Sequence, residues 1–153
     1  MANRVLVTGG AGFIGSHTCD ALLARNYDVR VLDSLQPRVH PRGRPDFLSP
    51  AVDFHQGDVR DPAAWQGALE GVRCVFHLAA YQDYMPDFST FLHVNAGSTA
   101  LLYELIVEKH YPVEKIILAS SQSVYGEGRY VCEAHRAFSP GPRTLDQLER
   151  GQW

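Results

Sequence analysis

A short β-branched run, Val5-Leu6-Val7, breaks at Thr8-Gly9-Gly10-Ala11-Gly12, and residues 13–25 then carry Ile14, Ala21 and Leu22 at helical spacing. Strand, glycine turn and helix in that order constrain the chain more than any other feature, because they form the opening unit of a parallel α/β sheet. Glycines stand at positions 9, 12 and 15. Gly9 permits the tight turn, Gly12 lets a diphosphate approach the backbone, and Gly15 lets the helix pack closely on the strand. The amides of Phe13 and Ile14 would face the phosphates at the positive end of the helix dipole. A glycine triplet alone is a weak signal, and a ligand-free turn is the competing reading; the position between strand and helix favours the ligand.

The rest of the first 126 residues extends this unit. Val29-Arg-Val-Leu-Asp33 and Val52-Asp-Phe-His55 read as strands, separated by a loop holding Pro37, Pro41, Pro45 and Pro50. Asp61-Pro62 supplies an N-cap and a first-position proline, and Gly71 a C-terminal stop, so 62–70 reads as helix. Val72 to Leu78 reads as a buried strand, residues 89–110 as a long helix, and Lys115 to Ala119 as a fifth strand. Near-continuous apolar strands alternating with helices predict a doubly wound, Rossmann-like parallel α/β sheet over residues 1–126, whose ligands gather at the carboxyl ends of the strands. Residues 127–153 are interrupted by Gly128, Pro140, Gly141 and Pro142 and are expected to form a loosely packed tail, with a short helix over 144–150.

Composition sets the remaining bounds. Fourteen Lys plus Arg against seventeen Asp plus Glu give a net charge of −3, too near neutral for nucleic-acid binding by bulk charge. Cys19, Cys74 and Cys132 are an odd, scattered set that fits a reducing compartment, with the cytoplasm as default. No apolar run reaches the length of a membrane span, and the N-terminal residues lack a signal-peptide core, so no membrane partner is expected.

Asp33 ends the second strand eighteen residues after Gly15, where a carboxylate can accept from both hydroxyls of an adenine ribose, with Ser34 beside it. This favours NAD, since a 2′-phosphate ~4 Å away would be repelled by about 4 kcal/mol at an effective dielectric near 20. Arg38, Arg42 and Arg44 form a basic loop nearby, read as solvated in preference to a phosphate clamp. Asp58, after the third strand, is placed to meet the adenine amino group, with Val59 packing on the ring; Asp61 is read as a helix cap.

Thr8-Gly-Gly-Ala-Gly-Phe-Ile-Gly15, Asp33, Gly57-Asp58-Val59, His77-Leu-Ala-Ala80, Val94-Asn95 and Ser120-Ser-Gln-Ser-Val-Tyr-Gly126 occur in this order over residues 3–126. Together they resemble the extended short-chain dehydrogenase/reductase family, specifically its NAD-dependent nucleotide-sugar epimerases and dehydratases. The resemblance implies that Leu78, Ala79, Ala80 and Tyr81 line the dinucleotide near its diphosphate and nicotinamide ribose. It also implies that Asn95 contacts the cofactor and that Ser121 bonds the substrate oxygen as the catalytic serine, with Ser123 competing. His77, His17 and His55 are read as core histidines.

The family's chemistry is hydride removal from a sugar carbon by NAD, with a tyrosine taking the hydroxyl proton and a nearby lysine lowering that tyrosine's pKa. No Tyr-x-x-x-Lys pair follows Ser121, and the chain's two lysines are Lys109 and Lys115. Tyr111 and Lys115 match the spacing, but Pro112 and the fifth strand deny them one helical face. The chain therefore reads as the N-terminal NAD-binding portion of such an enzyme, truncated after the fifth strand and inactive alone. A non-catalytic NAD-binding module is the alternative. The helix over 89–110 resembles the family's dimer helix and suggests a homodimer. Cys132 and His135 have the spacing of half a zinc site, but an ordinary polar loop is preferred, and no metal is expected.

Overall fold

The computed structural model describes residues 3–134 and 136–152. They fall into two compact units, Met1–Ala119 and Ser120–Trp153.

The first unit is built on five parallel strands, β1 (Arg4–Thr8), β2 (Asp28–Asp33), β3 (Asp53–Gln56), β4 (Cys74–His77) and β5 (Lys115–Leu118), in the order β3-β2-β1-β4-β5. Its helices are α1 (Phe13–Leu23), α2 (Pro62–Leu69), α3 (Phe88–Leu92) and α4 (Ser98–Lys109). Alternation along the strands divides the core between two faces. Leu6, Leu32 and Val75 pack with Trp65 and Leu69 of α2 and with Leu102 and Leu105 of α4. Val7, Val29 and Val31 point the other way, onto Cys19 of α1 and onto Leu48 and Val52 of the loop before β3. This is the doubly wound, Rossmann-like sheet that the apolar strand runs predict. Because β1 is flanked by β2 on one side and β4 on the other, the connections diverge there and leave a crevice at the carboxyl ends of the strands.

Helix α2 has the expected start: Asp61 Oδ1 accepts from the Ala63 amide at 2.9 Å ahead of Pro62. Its end uses more than Gly71. Arg30, a buried cation in the middle of β2, donates to Asp53 Oδ2 at 2.7 Å and to the carbonyls of Gly67, Ala68 and Glu70 at 2.8, 3.2 and 3.1 Å. It thereby satisfies the orphan carbonyls of the helix C-terminus and ties α2 to two strands.

Two local expectations are corrected. The fourth strand is shorter than its apolar run, because Val72 already turns out of α2, its amide donating to Leu69 O at 3.1 Å. The single helix over 89–110 is interrupted by a π-helical turn, His93–Gly97, between α3 and α4. A π-turn holds one extra residue, which shifts the inward-facing positions without ending the helix.

The second unit contains a 3₁₀ turn (Gln122–Tyr125), an antiparallel hairpin of β6 (Tyr130–Cys132) and β7 (Arg136–Phe138), and α5 (Leu145–Glu149). Thr144 and Gln147 form a reciprocal capping box at the start of α5. The hairpin is an element within the expected tail that the sequence pattern does not announce. Three-residue strands are too short for a period-2 pattern to register, and the Tyr130–Phe138 pair across them, with ring centroids 6.2 Å apart, is visible only after pairing. The suggested zinc half-site involves His135, which lies outside the described residues. Among the described residues, no group of three or more His, Cys, Asp or Glu side chains could hold a metal ion.

Candidate functional site

The glycine turn is shaped by contacts that a side chain would destroy. Gly9 adopts φ +68°, and a Cβ there would lie 2.9 Å from the backbone of Ala79. A Cβ on Gly15 would fall 2.1 Å from the Gly9 carbonyl. Gly12 is different: it is extended, and a Cβ on it would meet only the Gly9 carbonyl at 3.3 Å and otherwise fill the cleft. Gly12 caps α1 without a side chain, so the first-turn N–H groups of Phe13 and Ile14 keep their hydrogens for an anion, while the side chains of both residues are exposed.

Beyond this turn lies a cleft of about 430 Å³ at the carboxyl ends of β1, β2, β3 and β4. Gly9, Gly12, Asp33, Ser34, Asp58, Val59, Leu78, Ala79, Ala80 and Tyr81 all line it. Asp33 is 8% exposed, its Oδ2 accepting from the Ala11 amide and its Oδ1 from the Leu35 amide, both at 2.9 Å. Each oxygen keeps a lone pair for a further donor. Leu35 adopts φ +50°, an uncommon conformation for a branched side chain, so the backbone bends sharply at the residue that orients this carboxylate. Asp58 is gripped by Arg60, whose Nη2 donates to Oδ2 at 2.6 Å and whose Nε donates to Oδ1 at 3.0 Å. That guanidinium holds the Asp58 carboxyl below the usual carboxylate range. Val59 is buried and held in place by the Trp65 indole, which donates to its carbonyl at 2.7 Å.

A buried polar chain joins the ends of β1 and β4 to α4. Ser98 Oγ donates to the Val94 carbonyl at 2.5 Å, so toward His77 Nε2, 3.0 Å away, it can only accept. His77 is therefore the Nε2–H tautomer, and its Nδ1 accepts from Thr8 Oγ1 at 2.8 Å. Thr8 Oγ1 in turn accepts from the amides of Leu78 and Ala79, both at 3.1 Å. At 2% exposure, His77 has its pKa pushed down to about 4 by desolvation and stays neutral. The core expectation thus holds for His77. It is corrected for His17, which is exposed and edge-on to Phe13 at 5.0 Å, because its helical position faces away from the sheet. It is corrected too for His55, half-buried and 3.1 Å from Asp53 Oδ1, because β3 is an edge strand.

Asn95 sits in the π-turn. Its Oδ1 accepts from the Tyr81 amide at 2.7 Å, and its Nδ2 donates to the Tyr81 carbonyl at 2.9 Å, so the side chain fixes the loop after β4 and does not itself line the cleft. The Tyr81 hydroxyl donates to Asp87 Oδ2, a contact that pushes the phenol above its ordinary pKa and keeps it a donor. Asp87 also lines the cleft, and among the described residues its buried Oδ1 has no partner, an acceptor that a ligand donor would satisfy. Gln36, Val39, His40, Arg60, Asp87 and Thr90 are lining residues that the sequence reading missed. Gln36, Val39, His40 and Asp87 lie in loops 34–52 and 78–87, which the strands they follow bring to the cleft; Arg60 directly follows Gly57-Asp58-Val59, and Thr90 stands in α3.

Residues 5–144 match the sequence profile of the NAD dependent epimerase/dehydratase family. This chain belongs to that family. Among relatives of this chain, the dTDP-L-rhamnose 4-epimerase of Burkholderia thailandensis is 36% identical over 156 residues, covering 98% of this chain and 43% of that protein. The sterol-4-alpha-carboxylate 3-dehydrogenase, decarboxylating, of Bos taurus is 38% identical over 127 residues, covering 83% of this chain and 33% of that protein. Among solved structures, the Thermus thermophilus UDP-glucose 4-epimerase complex with NAD superposes with a TM-score of 0.69 at 37% identity, covering 92% of this chain and 44% of that one. The chain thus spans less than half the length of these relatives.

Two of the three arginines of the basic loop are engaged within the protein. Arg38 forms an ion pair with Asp83, and Arg44 donates to the Ser49 carbonyl at 3.0 Å and lies over the Phe54 ring at 5.0 Å; Arg42 is exposed. In the second unit, Ser121 starts the 3₁₀ turn and its Oγ accepts from the Ser123 amide at 3.1 Å. Tyr111 sits in the turn before β5, its hydroxyl donating to the Gln66 carbonyl at 3.3 Å, and so shares no helical face with Lys115. No helix among the described residues is long and apolar enough to cross a membrane.

Proposed function

We propose that this chain is the NAD-binding N-terminal portion of a nucleotide-sugar epimerase or dehydratase. The observation that carries the reading is Asp33, ordered by two backbone amides on the wall of the cleft that the glycine turn opens. A cleft with a capless helix N-terminus on one wall and a buried carboxylate on another fits a dinucleotide: an anion at one point and a pair of hydroxyl donors at another.

In this reading Gly9, Gly12 and the amides of Phe13 and Ile14 hold the diphosphate, while Gly15 keeps α1 close enough for them to do so. Asp33 and Ser34 hold the adenine ribose, and Asp58 and Val59 border the adenine. Leu78, Ala79, Ala80 and Tyr81 face the diphosphate and nicotinamide ribose, and Asn95 positions Tyr81. NAD, when bound, supplies the hydride acceptor for oxidation at a sugar carbon. Ser121 is the group proposed to hydrogen-bond the substrate oxygen, and no Tyr-x-x-x-Lys pair stands among residues 122–153. The sugar substrate is supported by the epimerase relatives. A homodimer through residues 89–110 is supported by the exposed Tyr103 and Val107 of α4, and the cytoplasm by the free thiols of Cys19 and Cys74.

Calorimetric titration of the purified chain with NAD tests the reading. Saturable one-to-one binding is expected; a folded chain that takes up no heat at millimolar NAD removes it.

A further inference from the structure

The loop after β2 supplies Ser34, Gln36, Val39 and His40 to the cleft, and the loop after β4 supplies Tyr81 and Asp87. Arg38 stands in this loop between the lining residues Gln36 and Val39, five residues beyond Asp33, and its side chain is 56% exposed. Its guanidinium is held on Asp83 through both nitrogens, Nη1 on Oδ2 and Nη2 on Oδ1 at 3.3 Å. The two partners are fixed independently. Asp83 Oδ1 accepts from the Tyr84 amide at 2.7 Å and the Asp83 side chain is 16% exposed, while the Arg38 amide donates to Gln36 Oε1 at 2.8 Å. Arg60 is taken up by Asp58, and Arg44 by Ser49 and Phe54. Three cations of these loops, Arg38, Arg44 and Arg60, are thus already engaged, while Arg42 is exposed. A guanidinium fork fits a phosphate as well as it fits a carboxylate, so Asp83 occupies the geometry that a phosphate would need.

We infer that Asp83 is a cofactor-specificity residue: by holding Arg38, it denies a cation to dinucleotides carrying a phosphate on the adenosine ribose. The inference rests on the NAD reading above and adds to Asp33 a second, remote determinant from a different loop.

Calorimetry of the whole chain with NAD and with NADP tests it. Wild type is expected to bind NAD and to bind NADP far more weakly. D83N raises NADP affinity about three- to tenfold and leaves NAD within about twofold, the gain shrinking as salt rises. R38M/D83N loses the gain, and R38M alone leaves NADP as weak as in wild type. If D83N leaves the NADP-to-NAD ratio unchanged, or weakens both nucleotides together, the ion pair is only a tie between loops and the inference is overturned. A wild-type chain that binds neither nucleotide fails the NAD reading itself, and the inference with it.

Discussion

Asp33 concentrates the chemistry of the cleft in one side chain. Asp33→Ala removes the acceptor for the ribose hydroxyls and the repulsion of a 2′-phosphate at once, so NAD should bind about tenfold more weakly while its preference over NADP shrinks. An unchanged preference in calorimetry would take Asp33 out of this role. His77 makes a prediction of a different kind, about pH. Its folded pKa of about 4 lies below the ordinary value of 6.5, so the unfolded chain takes up the proton first as pH falls. The stability tied to its neutral form is complete above pH 6.5 and is lost progressively toward pH 4, by about 3 kcal/mol in all. Urea unfolding at pH 7 and at pH 4.5 measures this. A flat profile across that window would contradict the desolvated, neutral imidazole.

Elements here are held by polar residues that no apolar pattern marks. Arg30 closes the end of α2 from within β2, and Arg30→Met should cost about 3 kcal/mol, because three helix-terminal carbonyls and Asp53 lose a charged donor. Denaturant unfolding tests it, and a loss under about 1 kcal/mol would mean water replaces those bonds. The π-turn works in the same local way. Its extra residue lets Asn95 reach the Tyr81 backbone while Ser98, three positions on, reaches His77. One helical segment thereby braces both the loop after β4 and the strand end itself.

In the molecule as a whole, ligand and fold are linked, because the cleft is assembled from the ends of four strands that exist together only in the folded sheet. NAD at a hundred times its dissociation constant should stabilise the first unit by about 2.7 kcal/mol, read as a rise in its unfolding temperature that grows with NAD concentration. No rise at saturating NAD would separate binding from this cleft. The sequence alone determined the strand–turn–helix opening, the parallel doubly wound order, Asp33 at its strand end and the Asp61 cap, because each depends on residues near one another along the chain. The glycines of the turn were legible for the same reason, since Gly9 needs a left-handed backbone and Gly15 must clear the Gly9 carbonyl; the close approach of Gly9 to Ala79 came only with the assembled sheet. Tertiary structure decided the rest. Asn95 braces Tyr81 instead of facing the cleft, Arg38 lies on Asp83, Arg30 caps a helix from inside a strand, and His17 lies outside the core. These side chains have several partners of suitable chemistry along the sequence, and only the register of the sheet and the extra residue of the π-turn bring one within bonding distance.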